Sequence, residues 1–188
     1  MFYETTAFEF VSILEANWLT IRKELNQLQQ GDFMPWPEKF LYKKGWDVFG
    51  LYAFEKKLTN NCRLCPETTK LVEAIPGMTT AGFSSLAPGT HIFPHAGYYN
   101  PFVLRCHLGL VVPDGCEIRV GTQTRSWQEG KCLIFDDGVE HEAWNSATAT
   151  RVVLLVDFKK PNAKSKPTFD YYHSLLDETI QKLTSNEN

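Results

Sequence analysis

Residues 79–158 consist of short apolar stretches separated by tight-turn sequences, and this spacing constrains the fold more than any other feature. The stretches read TTAGFSSLA, PFVLRCHLGLVV, CEIRVG, KCLIFDD and TRVVLLVDF, and the turns carry PG, PDG, EG and DDG. Strands punctuated at such regular intervals favour hairpins over crossover helices. The pattern predicts a mainly β fold with flanking helices, either a β-sandwich or a jelly roll (a double-stranded β-helix, cupin-like).

The chain on either side of this core is predicted to be helical. One apolar stripe recurs at three- and four-residue steps and predicts a helix that Gly31 ends: Val11, Leu14, Trp18, Ile21, Leu25 and Leu28. CPETTKLVEAIPG at 65–77 predicts a short second helix, and a stripe beginning at Phe169 predicts a last one. We therefore expect a single domain over 1–188, with a helical part (1–78) packed on the barrel, the jelly-roll core (79–158), and a C-terminal helix and tail (159–188).

Composition and charge exclude several classes of partner. The 188 residues are 43% hydrophobic and carry a net charge of −3, and no run of Lys or Arg is longer than two. This distribution predicts neither a nucleic-acid surface nor an anionic-lipid surface. No leader pattern begins the sequence and no apolar window is long enough for a membrane span, so we expect a cytoplasmic protein.

Five cysteines are present, and their odd number and apolar surroundings predict buried, reduced thiols. Cys62 and Cys65 have CxxC spacing. An isolated CxxC without a second pair or a βαβ context is a weak signal for a metal or redox site.

Two histidines stand beside predicted strand ends. His95 lies in HIFPHAGYYN (91–100) and His141 in DDGVEHEAW (136–144). Side chains at such positions reach the mouth of a jelly-roll cavity, where neutral imidazole suits iron, copper or zinc. His91 and His173 lack this placement and are predicted to have no such role.

Two arginines interrupt apolar strands. With a period of two, Arg105 and His107 share one face of FVLRCHLGLVV, and Arg151 alternates onto the face of Asp157 in RVVLLVDF. A cation directed into the barrel is costly unless an anion meets it, so two arginines indicate a bound dicarboxylate. The alternative is that Arg105 pairs with Asp157 or Asp136 within the protein and that His107 is a hydrogen-bonded core histidine.

Several separated motifs occur in an order that resembles the aspartyl/asparaginyl β-hydroxylase family of iron(II)- and 2-oxoglutarate-dependent oxygenases. The resemblance covers about residues 65–158 and rests on the FS strand, PGTHIFPH, LRCHLGLVVP, EGKCLIFDD, EHEAWN and RVVLLVDF. It implies a dioxygenase that hydroxylates an unactivated C–H bond of an amino-acid, peptidyl or related substrate and releases succinate and CO2. Fe(II), 2-oxoglutarate and O2 would be its cofactors and co-substrates.

The resemblance also assigns roles to residues. His95 and His141 would be the iron ligands, and Gly97 of HAG stands where most oxygenases of this class have a carboxylate, leaving that position to water. Arg151 and Ser84 match the residues that hold the distal carboxylate of 2-oxoglutarate. Arg105 and His107 match the pair near the keto-acid end.

The sequence constrains the identity of the substrate less than it constrains the metal and 2-oxoglutarate sites. Peptide-hydroxylating members carry basic residues at the positions of Val103 and Gly82, which predicts a different peptide, a free or carrier-bound amino acid, or a lipid-linked acyl group. Four aromatic residues are candidates to line the substrate site, unless they only cap the barrel: Trp46, Tyr98, Tyr99 and Phe102.

Two other functions are compatible with these residues. A non-catalytic cupin-like module would use the same histidines and arginines to bind a metal or small carboxylic acid. A zinc hydrolase fits less well, because zinc sites usually bring three protein ligands and a base.

Overall fold

The computed structural model describes residues 1–97 and 102–161, which are built mainly from antiparallel strands. The strands are β1 (Phe2–Tyr3), β2 (Met34–Pro35), β3 (Trp46–Ala53), β4 (Lys56–Lys57), β5 (Met78–Leu86), β6 (His91–His95), β7 (Val103–Val111), β8 (Cys116–Val120), β9 (Gln123–Ser126), β10 (Cys132–Asp136), β11 (His141–Asn145) and β12 (Arg151–Lys159). The helices are α1 (Glu9–Ala16), α2 (Trp18–Leu25), α3 (Thr59–Leu64) and α4 (Pro66–Glu73), with 3-10 turns at Thr5–Ala7, Gln30–Asp32 and Lys39–Leu41.

The strands form two sheets. The larger sheet has the order β1-β10-β7-β12-β5-β3-β2, with β4 paired to β3, and the smaller has the order β6-β11-β8-β9. Apolar side chains of both sheets form one cluster between them, including Trp46, Phe135 and Val153 of the larger sheet and Ile92 and Ile118 of the smaller. The predicted jelly-roll class is confirmed.

The helices cover the outer face of the larger sheet. A second apolar cluster joins the helices to the strands through residues that include Leu14, Ile21, Val72, Leu104 and Leu108. On β7 the leucines therefore face the helices, while Arg105 and His107 face the smaller sheet. The period-two interpretation of this strand is confirmed, and the polar side chains point into the space between the sheets.

The first predicted helix is wrong in two respects. It is broken at Asn17, which has φ −105° and ψ 8°, and α2 ends at Leu25 rather than at Gly31. The Asn17 side-chain amide donates to the Ile13 carbonyl at 2.8 Å, and such competition with the backbone favours helix termini. Gly31 instead lies in the Gln30–Asp32 turn, which has its own capping box. The predicted last helix lies outside the described residues.

The five cysteines are all free and buried, as predicted. Burial raises the pKa of the Cys65 thiol to about 12, and the Cys62 thiol lies 3.3 Å from the Leu51 carbonyl oxygen. The CxxC sequence thus contributes to the helix-side core. Over 1–97 and 102–161, no helix is both long enough and apolar enough to cross a membrane.

Candidate active site

His95 and His141 face one another across neighbouring strands of the smaller sheet. They are direct cross-strand partners, and their ring centroids lie 4.3 Å apart. Nδ1 of His95 is 2.7 Å from the Phe93 carbonyl oxygen, and Nδ1 of His141 is 2.8 Å from that of Val139. Because a carbonyl oxygen only accepts, each Nδ1 carries the proton and each Nε2 keeps a free lone pair.

Both imidazoles are neutral around pH 7. Burial lowers the pKa of His95. Burial, followed by the nearby imidazole of His95 and then the Arg105 cation, lowers the pKa of His141 to about 3. Two neutral rings with free Nε2 atoms are the form in which histidine binds a metal.

Asp137 is a third polar residue beside this pair, and sequence reasoning missed it. Its Oδ1 lies 3.6 Å from Nε2 of His141 and 2.8 Å from Nη1 of Arg105. The sequence predicts a turn at DDG, and the four-residue spacing from Asp137 to His141 is the signal that indicates this contact. Among the described residues no set of three His, Cys, Asp or Glu side chains has the geometry of a metal site, so Asp137 lies alongside a two-histidine pair.

The space beside Gly97 is filled by the Asp137 side chain. A Cβ atom built on Gly97 would lie 2.0 Å from Oδ2 of Asp137, and the Gly97 amide donates to the Asp137 carbonyl at 2.8 Å. A side chain at position 97 therefore has no room while Asp137 keeps this conformation. The Asp137 carboxylate, from the turn before β11, therefore occupies the space beside Gly97.

Arg105 is engaged by two carboxylates of the protein. Its Nε and Nη2 donate to Asp157 at 2.7 and 2.9 Å, and Nη1 lies 2.8 Å from Asp137. Burial opposes the charge, but Asp137 and Asp157 more than offset it and raise the pKa of Arg105. The internal pairing considered as an alternative is found with Asp157, whereas Asp136 pairs with Lys160 at 2.8 Å. A direct contact between Arg105 and 2-oxoglutarate stays a prediction.

Arg151 has no such partner. It is 1% exposed, and its guanidinium lies 4.5 Å from the centre of the Trp127 ring while Nη1 donates to the Ser84 carbonyl at 3.3 Å. Nε makes no hydrogen bond, and no carboxylate among the described residues pairs with this cation. Burial lowers the pKa of Arg151 to about 10, so the charge persists at neutral pH. A buried, uncompensated cation costs several kcal/mol, which an incoming anion would offset.

Ser84 and His107 present further polar atoms near Arg151. Ser84 Oγ accepts from Nε1 of Trp46 at 3.1 Å, so its own proton is available to a ligand. Nδ1 of His107 accepts from Nε1 of Trp127 at 3.3 Å, so Nε2 carries the hydrogen, and among the described residues this buried atom has no partner. Trp127, which sequence reasoning also missed, contacts both the cation and the imidazole.

The histidine pair and the cation belong to one interior row. The Phe135 ring lies 5.3 Å from His141 and 5.2 Å from His107, and Trp127 follows at 5.9 Å from His107. In the larger sheet β7 lies between β10 and β12. This order brings Phe135, His107 and Arg151 together, although they are far apart in sequence.

The predicted substrate wall is only partly described. Trp46 is buried and stacks on Trp36 with ring centroids 4.5 Å apart, so it belongs to the barrel interior as well as contacting Ser84. Phe102 is half-buried in the turn before β7. Tyr98 and Tyr99 lie outside the described residues.

The two positions that lack cations are both buried. Val103 is fully buried. A Cβ atom on Gly82 would lie 2.6 Å from the Phe49 carbonyl oxygen of β3, so a basic residue there would require the adjacent backbone to move.

Comparison with solved structures identifies proteins of similar fold. An oxidoreductase of the 2OG-Fe(II) oxygenase family from Burkholderia pseudomallei matches with a TM-score of 0.55 and 12% identity, covering 79% of this chain and 80% of that one. A Pseudomonas putida prolyl-4-hydroxylase matches with a TM-score of 0.50 and 16% identity, covering 80% and 87%. The fold is a jelly roll similar to those of these two proteins.

The sequence defines the family. The profile of the aspartyl/asparaginyl beta-hydroxylases matches residues 15–161, and the chain belongs to that family. It is 45% identical over 170 residues to an ornithine lipid ester-linked acyl 2-hydroxylase of Rhizobium tropici and 40% identical over 167 residues to a human aspartyl/asparaginyl beta-hydroxylase. These alignments cover 85% and 84% of the chain but 60% and 22% of the relatives.

Proposed function

We propose that this chain is an iron(II)- and 2-oxoglutarate-dependent dioxygenase that hydroxylates an unactivated C–H bond. The observation that carries the proposal is Arg151, a buried cation with no anionic partner among the described residues, in the same interior row as two histidines whose Nε2 atoms are free. A dicarboxylate that also binds a metal would satisfy both features at once. Membership of the hydroxylase family supports the same conclusion.

The residues present fit these groups. His95 and His141 would hold the iron through Nε2, and Arg151 would meet the distal carboxylate of 2-oxoglutarate together with the Ser84 hydroxyl. The Nε2 hydrogen of His107 offers a further donor to the co-substrate. When bound, the iron, 2-oxoglutarate and O2 supply the oxidation, in which one oxygen atom enters the substrate and the other enters succinate as CO2 leaves.

The protein itself supplies orientation and a dry interior. The backbone carbonyls of Phe93 and Val139 fix the tautomers of the two ligand histidines, which keeps each Nε2 unprotonated. The Asp137–Arg105–Asp157 ion-pair network fixes the carboxylate beside His141. Exclusion of water strengthens the charge interactions of Arg151 with its ligand.

The function is tested by comparing three histidines. His95→Ala and His141→Ala should each abolish Fe(II) binding and the aerobic formation of succinate from 2-oxoglutarate. His91→Ala is the matched control, because His91 lies on the same strand as His95 but is exposed and pairs with Glu142 at 2.8 Å. It should retain both properties.

Measuring ligand binding and succinate formation separately distinguishes a dioxygenase from a non-catalytic binding module. Metal and 2-oxoglutarate binding without succinate formation, across all substrates tried, would favour the module. Retention of Fe(II) binding by both ligand variants would contradict the assigned site.

For the substrate, we propose a lipid-linked acyl group rather than an aspartyl peptide. The relative from Rhizobium tropici is named for acyl 2-hydroxylation. A substrate aspartate entering the barrel would need a cation, and a buried carboxylate without one is costly. Val103 and Gly82 supply none, and Arg105 is already engaged by two carboxylates.

Two further arginines are also engaged elsewhere. Arg119 donates to Glu142 at 2.6 Å and to Glu140 at 3.1 Å, and the Arg125 guanidinium lies 4.5 Å from the centre of the Phe2 ring. Neither is placed as a free partner for a substrate carboxylate.

We therefore expect a gain of one oxygen by mass spectrometry on an acylated amino-acid lipid, and little turnover of an aspartate-containing peptide. Matched asparagine peptide and free amino acids complete the series, all with Fe(II) and 2-oxoglutarate. Efficient hydroxylation of the aspartate peptide would contradict the substrate assignment while leaving the dioxygenase assignment intact.

A further inference from the structure

We propose that the segment 38–45 is a membrane-docking surface that binds anionic phospholipid bilayers through an exposed aromatic ring and three lysines. The sequence alone predicts no such surface, because its longest run of basic residues is two. The fold changes this conclusion by exposing Phe40 together with Lys39, Lys43 and Lys44.

Phe40 is the most exposed of the large hydrophobic residues among the described part of the chain, at 68%. Its exposure is fixed by its neighbours. Leu41 and Tyr42 are buried, the Tyr42 hydroxyl donates to the Trp36 carbonyl at 2.7 Å, and the Leu41 amide donates to the Glu38 carbonyl at 3.0 Å. Buried anchors on one side hold the Phe40 ring in solvent on the other.

The charge around Phe40 is positive. Lys39, Lys43 and Lys44 are exposed, and none of the three forms an ion pair with any residue in the described ranges. Lys39 Nζ lies 5.3 Å from the centre of the Tyr42 ring. Glu38 is the one acid of the segment, and its carboxylate accepts from Nε1 of Trp36 at 3.1 Å.

A bilayer is the occupant that this chemistry fits. Aromatic side chains insert at the headgroup boundary while lysines meet anionic headgroups. A specific protein interface needs roughly 1,000 Å² of buried surface, whereas segment 38–45 exposes a single large apolar side chain. We therefore infer an anionic lipid surface rather than an acidic protein.

The segment also lies beside the candidate active site. Tyr42 bridges to Ile92 of β6, the strand that ends at His95, and Trp36 stacks on Trp46, which donates to Ser84. Burial lowers the pKa of His95, and the Glu38 carboxylate is among the nearby charges that oppose the shift. A bilayer bound here would lie next to the interior row of functional residues.

Vesicle binding of the full chain tests the surface without iron or 2-oxoglutarate, so it does not depend on the proposed chemistry. The protein should bind vesicles of mixed phosphatidylglycerol and phosphatidylcholine and not those of phosphatidylcholine alone. Replacing all three lysines with Gln should weaken binding on the order of a hundredfold, since each lysine near an anionic surface contributes about fivefold. Phe40→Ser should weaken it about tenfold.

Two further variants keep the test specific. Ile13→Ser is the matched control, because Ile13 is 50% exposed on α1 without adjacent lysines, and binding should be unchanged. Phe40→Trp should retain binding, since Trp also favours the interface. Absence of binding to anionic vesicles, equal binding to neutral ones, or equal losses for Ile13→Ser and Phe40→Ser would overturn the proposal.

Discussion

Replacing Arg151 with Met should abolish 2-oxoglutarate binding without destabilising the ligand-free protein. Losing one desolvated charge contact costs about 2–5 kcal/mol, which corresponds to a loss of roughly 30- to several-thousand-fold in affinity. The ligand-free protein, however, gives up a buried cation that has no anionic partner among the described residues. Its free energy of unfolding should be unchanged or raised by about 1–4 kcal/mol, as measured by denaturant unfolding.

Arg105→Met is the matched comparison, since the Arg105 side chain is only 12% exposed and lies on the strand adjacent to that of Arg151. Removing Arg105 leaves Asp137 and Asp157 buried without their cation, which should lower stability by about 3–5 kcal/mol. The contrast therefore separates a ligand-binding cation from a structural one. Equal destabilisation by both variants, with 2-oxoglutarate affinity retained in Arg151→Met, would reassign Arg151 to structure.

Restoring the carboxylate at position 97 should damage the site rather than improve it. Gly97→Asp places its Cβ atom against Oδ2 of Asp137, so either the turn before β11 or the end of β6 must move. The two carboxylates would also repel each other. We expect Fe(II) affinity to fall by at least tenfold and the protein to be destabilised by about 1–3 kcal/mol.

Removing the Asp137 side chain should reverse most of the loss of Fe(II) affinity. In the double variant Gly97→Asp with Asp137→Ala, the new carboxylate has the space that Asp137 leaves, and Fe(II) affinity should exceed that of Gly97→Asp alone. Calorimetric titration of both variants and of Asp137→Ala completes a double-mutant cycle. Additive effects would show that the two positions do not share the same space.

Local patterns were sufficient to predict four contiguous strands of the larger sheet. Alternation and glycine-containing turns identified β5, β7, β10 and β12, because each is a continuous apolar strand bounded by turn residues. The short strands β6, β9 and β11 were not assigned, since a proline or several polar residues interrupt their apolar pattern. The break at Asn17 depends on a side chain that competes for a backbone carbonyl, which apolar periodicity does not report.

The candidate site was predictable in its residue types but not in its pairings. The sequence left Arg105 with two alternatives because its partner Asp157 lies 52 residues away, and only the register of β7 with β12 brings them together. Asp137 was missed for a related reason. Asp137 matters because the turn before β11 approaches Gly97, which follows β6. Sequence spacing does not specify that contact.

The cross-strand pairing of His95 with His141 has a consequence for how the smaller sheet is held together. β6 is an edge strand of the smaller sheet and pairs with β11. The register between these two strands shifts between His141 and Ala143 of β11. A slip of one residue would turn one imidazole to the opposite face, so a bound metal ion tolerates only the observed alignment. Metal loading would then hold β6 in register with β11, and slow amide exchange along β6 would report occupancy before any turnover begins.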